Sequence, residues 1–305
     1  MQQEYNYTPL PEPIPITEQV WPEGTLPLVC TSTLAYNHEP YIRECLDGIL
    51  MQKTTFPVQV LVHEDCSTDR TAEILKEYQS KYPNLIKVFY QPENVYSLKD
   101  QEEKRKRREE FFSWRIGKYV ALCEGDDYWI DPLKLQKQVD FLEANSNFSL
   151  CFHAHKNLYI DGSFKDIRPH KIKEYYEMKD AILGGGGFMA TNSMLFKKEY
   201  ILDQPDWMKD LPVGDLPLML LLASKGEMGY INDVMSVYRV MSSSSSWSAS
   251  MKDRNRRKLH HKRILLMWDD FDSWTKKKYH AYVLRKKLKN RWGYLKGNIK
   301  YIIKR

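Results

Sequence analysis

What this sequence lacks narrows the field before any motif is read. Its longest strongly apolar run, Leu216 to Ala223, is far too short to cross a bilayer. The opening MQQEYNYTPLPEPIPITEQ has neither a basic start nor an apolar core, so no secretory leader is expected. Its prolines predict an extended arm over residues 1–25. No CxxC or HxxxH spacing occurs, which argues against a zinc site. The cysteines Cys30, Cys45, Cys66, Cys123 and Cys151 are odd in number and dispersed. Reduced thiols in the cytoplasm are therefore expected rather than a disulfide framework. No internal repeat is visible, and 42% hydrophobic with 28% charged residues excludes a disordered chain.

Acidic residues are scarce in one region. Residues 251–305 hold 19 Lys/Arg and 4 Asp, a net +15 within a whole-chain +6, which leaves −9 for the preceding 250 residues. An acidic body joined to a basic end implies two different tasks. The basic end also carries Trp268, Phe271, Trp274, Tyr279, Tyr282, Trp292 and Tyr294. Such a helical extension, over residues 248–305, suits an anionic membrane surface. RNA or DNA, or simple packing on the body, are the other readings.

From Leu26 onward, strand and helix patterns alternate. LPLVCTSTL, VQVLVHED, LIKVFYQ and KYVALC read as strands, separated by helical stretches such as STDRTAEILKEYQSKY, with Thr68 or Asp69 as cap. Near-continuous apolar strands between helices predict an α/β fold, a mostly parallel central sheet covered on both faces. Ligands in such folds bind beyond the carboxyl ends of the strands. After Phe148 the pattern changes. Asp161-Gly162 predicts a hairpin turn, GGGGF at 184–188 a flexible loop, and GDLPLMLLLASKG a buried helix ending at Gly226.

The acids stand where that rule puts a ligand. HEDCSTDRT closes the second strand, and CEGDDYW closes the fourth with Glu124, Asp126 and Asp127. Carboxylates so close repel one another, and a cation or a positive substrate relieves them. Each acid also has a plainer role: Asp65 and Asp69 capping a turn, Glu124 and Asp127 capping the helix that starts near Pro132, Asp215 capping the helix behind it.

Taken in order, AYNHEPYIRECLDGIL, EDCSTDRT, GKYVALCEGDDYW and VGDLPLMLLLASKGEMGYINDVMSVYR resemble a family 2 glycosyltransferase of the GT-A fold over about residues 26–247. The resemblance implies an inverting enzyme with a nucleotide-diphosphate-sugar donor (a UDP-sugar) and a divalent metal, Mn²⁺ or Mg²⁺. A glycan or lipid-linked acceptor follows from it, as in polysaccharide assembly, with the protein cytoplasmic and peripheral on the membrane. Position by position, Tyr36 matches the aromatic against the base and Asp65 the acid at the uracil edge. Glu124-Gly125-Asp126 stands for the family's Asp-x-Asp, making Asp126 the metal ligand and placing Glu124 beside the ribose or a metal-bound water, with Gly125 part of the nucleotide-sugar site. Asp215 matches the general base; Arg239 is available for the diphosphate or for a surface ion pair, and Trp247 for closing over the donor or for packing. Gly187 falls in the acceptor cleft, where Trp129 and Trp207 are candidate sugar-stacking faces.

Two departures stand out: Glu124 for the first Asp, and Met241 where many relatives carry a metal-ligating His. A thioether is a weak ligand for hard cations. A non-catalytic nucleotide-sugar binder of the same fold and a nucleic-acid binder acting through the basic end therefore remain the rivals. Nucleic acid is not expected, because an acid-lined cleft repels phosphate backbones.

Overall fold

The computed structural model describes residues 6–209, 211, 213–240, 251 and 253–303, with side chains described through 297. The first half contains β1 (Ile14–Pro15), β2 (Val29–Ala35), α1 (Ile42–Leu50), β3 (Lys53–Thr54), β4 (Val58–Glu64), α2 (Thr71–Lys81), β5 (Ile86–Tyr90), α3 (Gln101–Ser113) and β6 (Tyr119–Leu122). Then come β7 (Tyr128–Trp129), α4 (Lys134–Ala144), β8 (Phe148–Leu158), β9 (Phe164–Ile167), β10 (Tyr175–Tyr176), α5 (Met178–Gly184), β11 (Leu195–Lys197), α6 (Asp215–Lys225) and β12 (Glu227–Arg239). Two helices close the chain, α7 (Arg254–Trp274) and α8 (His280–Ile303).

The main sheet runs β10-β12-β8-β11-β6-β2-β4-β5. From β5 to β6 every pairing is parallel, as the apolar strands predict. Beyond β6 the sheet is mixed: β11 inserts antiparallel between β6 and β8, while β12 runs parallel to β8. The expected parallel pairing therefore runs through β6-β2-β4-β5, and the rest of the sheet is mixed. The hairpin at Asp161-Gly162 forms, joining β8 to β9 with Gly162 at φ +81°.

Both faces of the sheet are covered. One core gathers Val29, Val60, Leu46, Ile49 and Leu75 under α1 and α2. The other gathers Phe152, Phe196, Leu220, Leu221 and Trp268 under α5, α6 and α7. On α7 the buried residues Ile264, Met267, Trp268 and Phe271 recur at helical spacing and form one apolar face. Each large side chain so buried contributes roughly 1.5–3 kcal/mol. The basic extension is thus anchored to the body at α7. At the other end of the chain, Ile14–Pro15 pairs with β3 and Ile16 is 4% exposed, so the proline-rich arm lies bound along the domain.

Candidate active site

Two loops at the carboxyl ends of β2 and β4 are stitched together by side chains. Asn37 stands at φ 54°, a conformation asparagine tolerates, and its amide oxygen accepts from the Thr68 N–H at 2.8 Å. The Asn37 N–H donates to Ser67 Oγ, and the His38 N–H to Thr71 Oγ1. Asp69 accepts from the Glu39 N–H through one oxygen and from the Thr71 N–H and hydroxyl through the other. Asp69 is thus a turn former, and Tyr36, which follows β2 and precedes Asn37, stands 40% exposed.

Asp65, buried at the end of β4, accepts from the Val95 N–H at 2.7 Å and the Tyr96 N–H at 3.1 Å. Burial raises its proton affinity, against the pull of those two amides. The acid therefore anchors the turn after β5, and only its remaining lone pairs are available to a ligand.

The acidic turn between β6 and β7 is held from below. The Gly125 N–H donates to Leu34 O at 2.9 Å and the Asp127 N–H to Glu124 O at 3.0 Å. Asp127 is 1% exposed and ties the turn to β12: its oxygens accept from the Arg239 N–H at 2.8 Å and from Asn192 Nδ2 at 3.1 Å. Its role is structural, but as a clamp on β12 rather than a helix cap.

Glu124 is pushed up to about 8, first by burial and then by the charges of Asp126 and Asp215, with the Arg115 guanidinium opposing. Arg115 is buried behind it, its Nε donating to Ser32 Oγ at 3.1 Å and its guanidinium 4.0 Å from the Phe112 ring centre. Tyr238 is pushed up to about 12 by burial and by the charges of Asp127, Asp126, Asp215 and Glu124. Four carboxylates from β6–β7 and α6 thus share one electrostatic neighbourhood.

Asp215 is the first residue of α6, with its Oδ1 accepting from the Leu216 N–H at 2.8 Å. Burial raises its proton affinity despite that bond and the nearby His260 of α7. Burial thus outweighs the backbone hydrogen bonding at the helix start. Gly186 lies alongside, where an added Cβ would stand 3.8 Å from Asp215 Oδ2. The glycine run is not one loop: Gly184 ends α5 and residues 185–187 form a single tight turn, with Gly187 exposed.

Other expected residues are placed differently. Trp129 is 1% exposed, with its indole N–H donating to Asn192 O at 3.0 Å and the Lys134 ammonium 3.9 Å from its ring centre. Trp207 is buried against Phe271 and Trp274. Neither offers a ring face to a sugar; both are core side chains, and that expectation is corrected. Arg239 donates to Asp126 O, pairs with Glu44 and lies between the rings of Tyr41 and Tyr128 at 4.9 and 4.6 Å. As placed, it braces the acidic turn. Met241 and Trp247 lie outside the described residues.

Sequence reasoning passed over His38, Arg115, Tyr238 and His260. Tyr238 adjoins Arg239 and His38 lies in the YNHEP run, so both had a local signal. Arg115 and His260 reach the site only through the packing of α3 and α7.

Whether these residues suit a divalent cation can be tested on the acids themselves. Hard carboxylate oxygens are the donor set of Mg²⁺ and Mn²⁺, and their mutual repulsion falls when a cation joins them. His38 Nδ1 is also buried without a hydrogen-bond partner, and the charge of Asp126 acts on that ring. Among the described residues no three His, Cys, Asp or Glu side chains converge as a metal cluster. The residues fit a cation held jointly with a ligand's oxygens.

The sequence profile described as Glycosyl transferase family 2 matches residues 33–203. Rv1520 of Mycobacterium tuberculosis, an uncharacterized protein, is 34% identical over 73% of this chain and 62% of its own length. The chain thus spans less than two thirds of these mycobacterial relatives. TuaG of Bacillus subtilis, whose name assigns it to teichuronic acid biosynthesis, is 28% identical over 74% of this chain and 85% of its own. Among solved structures, residues 1–349 of S. aureus TarS with UDP-GlcNAc superpose at a TM-score of 0.61, with 17% identity over 88% of this chain and 73% of that one. The mannosyltransferase PcManGT of Pyrobaculum calidifontis, with GDP-Man and Mn²⁺, gives 0.52 and 16% identity over 88% and 67%.

Proposed function

This chain belongs to glycosyl transferase family 2, with a GT-A fold, and from that premise we propose that it moves a sugar from a UDP-sugar to an acceptor hydroxyl with inversion at the anomeric carbon. The observation that carries the reading is that the charges of Asp126 and Asp215 both act on Glu124, so that acids from the turn after β6 and from the start of α6 oppose one another. Opposed acids at a ligand-binding edge suit a reaction in which one holds a cation and another takes a proton.

The roles follow from placement. Asp215 accepts the acceptor's hydroxyl proton, and the burial that raises its proton affinity brings it nearer to working pH. The turn at 185–187 lets an acceptor approach that carboxylate without side-chain obstruction. Tyr36 and Asp65 receive the base, and Glu124 and Gly125 lie at the ribose. Asp126 would hold Mn²⁺ or Mg²⁺, whose charge offsets that developing on the diphosphate leaving group. Arg239 steadies this turn, and Trp247 is assigned to closing the donor side. The same reading assigns residues 1–25 to a bound arm, 26–247 to the catalytic domain and 248–305 to the helical extension. The UDP-GlcNAc and GDP-Man complexes of the structural neighbours support the donor class, and the TuaG name supports polysaccharide assembly as the setting. Among the described residues no helix is long and apolar enough to cross a membrane. Contact with an anionic membrane surface through the extension, from the cytoplasmic side, accounts for its charge.

The test is a thermal-shift screen of nucleotide sugars with and without Mn²⁺, followed by transfer assays on Asp215→Asn and Asp126→Ala. Donor binding should survive the first change and weaken in the second, with transfer lost in both. Transfer by Asp215→Asn would remove the base assignment, and donor binding without turnover under every metal would favour the non-catalytic reading.

A further inference from the structure

The last helix forms a cationic cavity that the reaction does not use. Lys286 of α8 is 8% exposed and reaches under the end of α5, donating to Leu183 O at 3.2 Å and Gly184 O at 2.9 Å. Its ammonium occupies the space where a side chain at Gly185 would stand, and Gly185 has φ +69°. A buried ammonium capping the carbonyl end of a helix is a favourable placement. Beside it is a cavity of about 250 Å³ lined by Leu183, Arg285, Lys286 and Lys289. The strongest charge acting on Lys286 is another cation, Lys289. Lys286 is committed to the α5 carbonyls, whereas Arg285 and Lys289 are exposed and form no ion pair among the described residues. By contrast, the neighbouring Lys287 is paired with Asp269.

Arg285 and Lys289 thus flank the cavity without an ion-pair partner among the described residues, and residues 273–305 contain no Asp or Glu of their own. The same helix exposes Leu284, Leu288, Trp292 and Leu295, at 46%, 64%, 60% and 52%, spaced so that they share one face. Cations around a cavity and an apolar stripe along the same helix suit a ligand with an anionic head and an apolar tail. The cavity also adjoins the catalytic region, because Lys286 holds the residues that lead into the turn beside Asp215.

We propose that the Arg285–Lys286–Lys289 cavity binds the phosphate group of an amphiphile, with the Leu284–Leu295 face against its apolar part, and that this amphiphile carries the acceptor. The acceptor assignment rests on the glycosyltransferase reading; the phosphate site does not. Arginine and lysine recognise phosphate by charge and by donated hydrogen bonds.

Flotation of the full chain with vesicles tests the site. Phosphatidylcholine vesicles should recover little protein, and vesicles with equal parts phosphatidic acid should recover most of it. Arg285→Gln with Lys289→Gln, both at exposed positions, should weaken recovery by about thirtyfold, each cation near an anionic surface being worth roughly fivefold. Arg105→Gln with Lys106→Gln on α3 removes equal charge elsewhere and should leave recovery within about twofold. Equal losses in the two double variants, or full recovery of the first, would overturn the site. Inorganic phosphate stabilising the wild type but not the Arg285/Lys289 variant, with vesicle recovery unchanged between the two, would keep the phosphate site and overturn the amphiphile as its occupant. Thermal shift with a UDP-sugar reports the catalytic reading separately: loss of the donor shift with flotation intact would sink that reading and spare the cavity.

Discussion

Gly125 sits directly against His38: a Cβ at Gly125 would stand 2.5 Å from His38 Nδ1, 3.0 Å from Leu34 O and 3.3 Å from Ile42 Cδ1. The middle position of Glu-Gly-Asp thus requires glycine for space, since one of those neighbours is strand backbone. Gly125→Ala should destabilise the protein by about 1–3 kcal/mol, the usual cost of overpacking a close contact. Chemical denaturation measures this. Because Asp126 follows at once, Mn²⁺-dependent donor binding should weaken too. Unchanged stability and binding would show that the loop yields freely.

The acids predict a pH dependence. Glu124 has an ordinary value of 4.5 and is raised to about 8 in the fold. Between those values the folded protein holds a proton that the unfolded chain releases, so this residue's contribution to stability falls as pH rises from about 4.5 to 8. Glu124→Gln removes that contribution. Melting temperatures without metal should match the wild type near pH 5 and exceed it near pH 8.5. With Mn²⁺ and UDP present the wild type should regain ground, because the cation offsets the repulsion that the substitution removes. A Glu124→Gln melting curve parallel to wild type at all pH values would refute the shared acid neighbourhood.

How much of this was legible in the chain depends on the range of the interactions. Apolar runs predicted β2, β4, β5 and β6, and the acids expected at the ends of β4 and β6 stand there, because strand periodicity and turn chemistry are local. The antiparallel insertion of β11 was not legible: three residues, Leu195–Lys197, carry no directional signal, and their place is set by both neighbours at once. Trp129 and Trp207 show the same limit. A tryptophan near an acidic turn reads as a platform until packing is known, and here both are core. Asp127 next to Asp126 reads as a helix cap, and only β12 shows it to be a clamp.

Asp65 joins two tasks that separate by substitution. Asp65→Ala leaves the Val95 and Tyr96 N–H groups without their acceptor, at roughly 1–3 kcal/mol for each that stays buried. Asp65→Asn keeps one acceptor oxygen and should lose about half as much. If the carboxylate also accepts from the base, UDP affinity should fall in both variants by more than the stability loss explains. Calorimetric titration at a temperature where both remain folded reads this directly. UDP binding at wild-type strength in Asp65→Asn would confine the residue to anchoring its turn.

Arg239 decides between bracing and binding. It is paired with Glu44, donates to Asp126 O and is held between Tyr41 and Tyr128. If it acts by bracing the acidic turn, Arg239→Lys should lower donor affinity in Mn²⁺ by about 10- to 100-fold, as expected for groups that orient a metal ligand. Lysine keeps the charge but loses the planar fork and the stacking. Glu44→Gln then supplies the discriminating case. Bracing needs the Glu44 pair, so this variant should also lose affinity, in the same direction and to a smaller extent. Direct contact with the diphosphate requires Arg239 to leave Glu44, so freeing it should raise affinity instead. Titrating UDP into wild type and both variants, with and without Mn²⁺, gives the sign, and tighter binding by Glu44→Gln would assign Arg239 to the diphosphate.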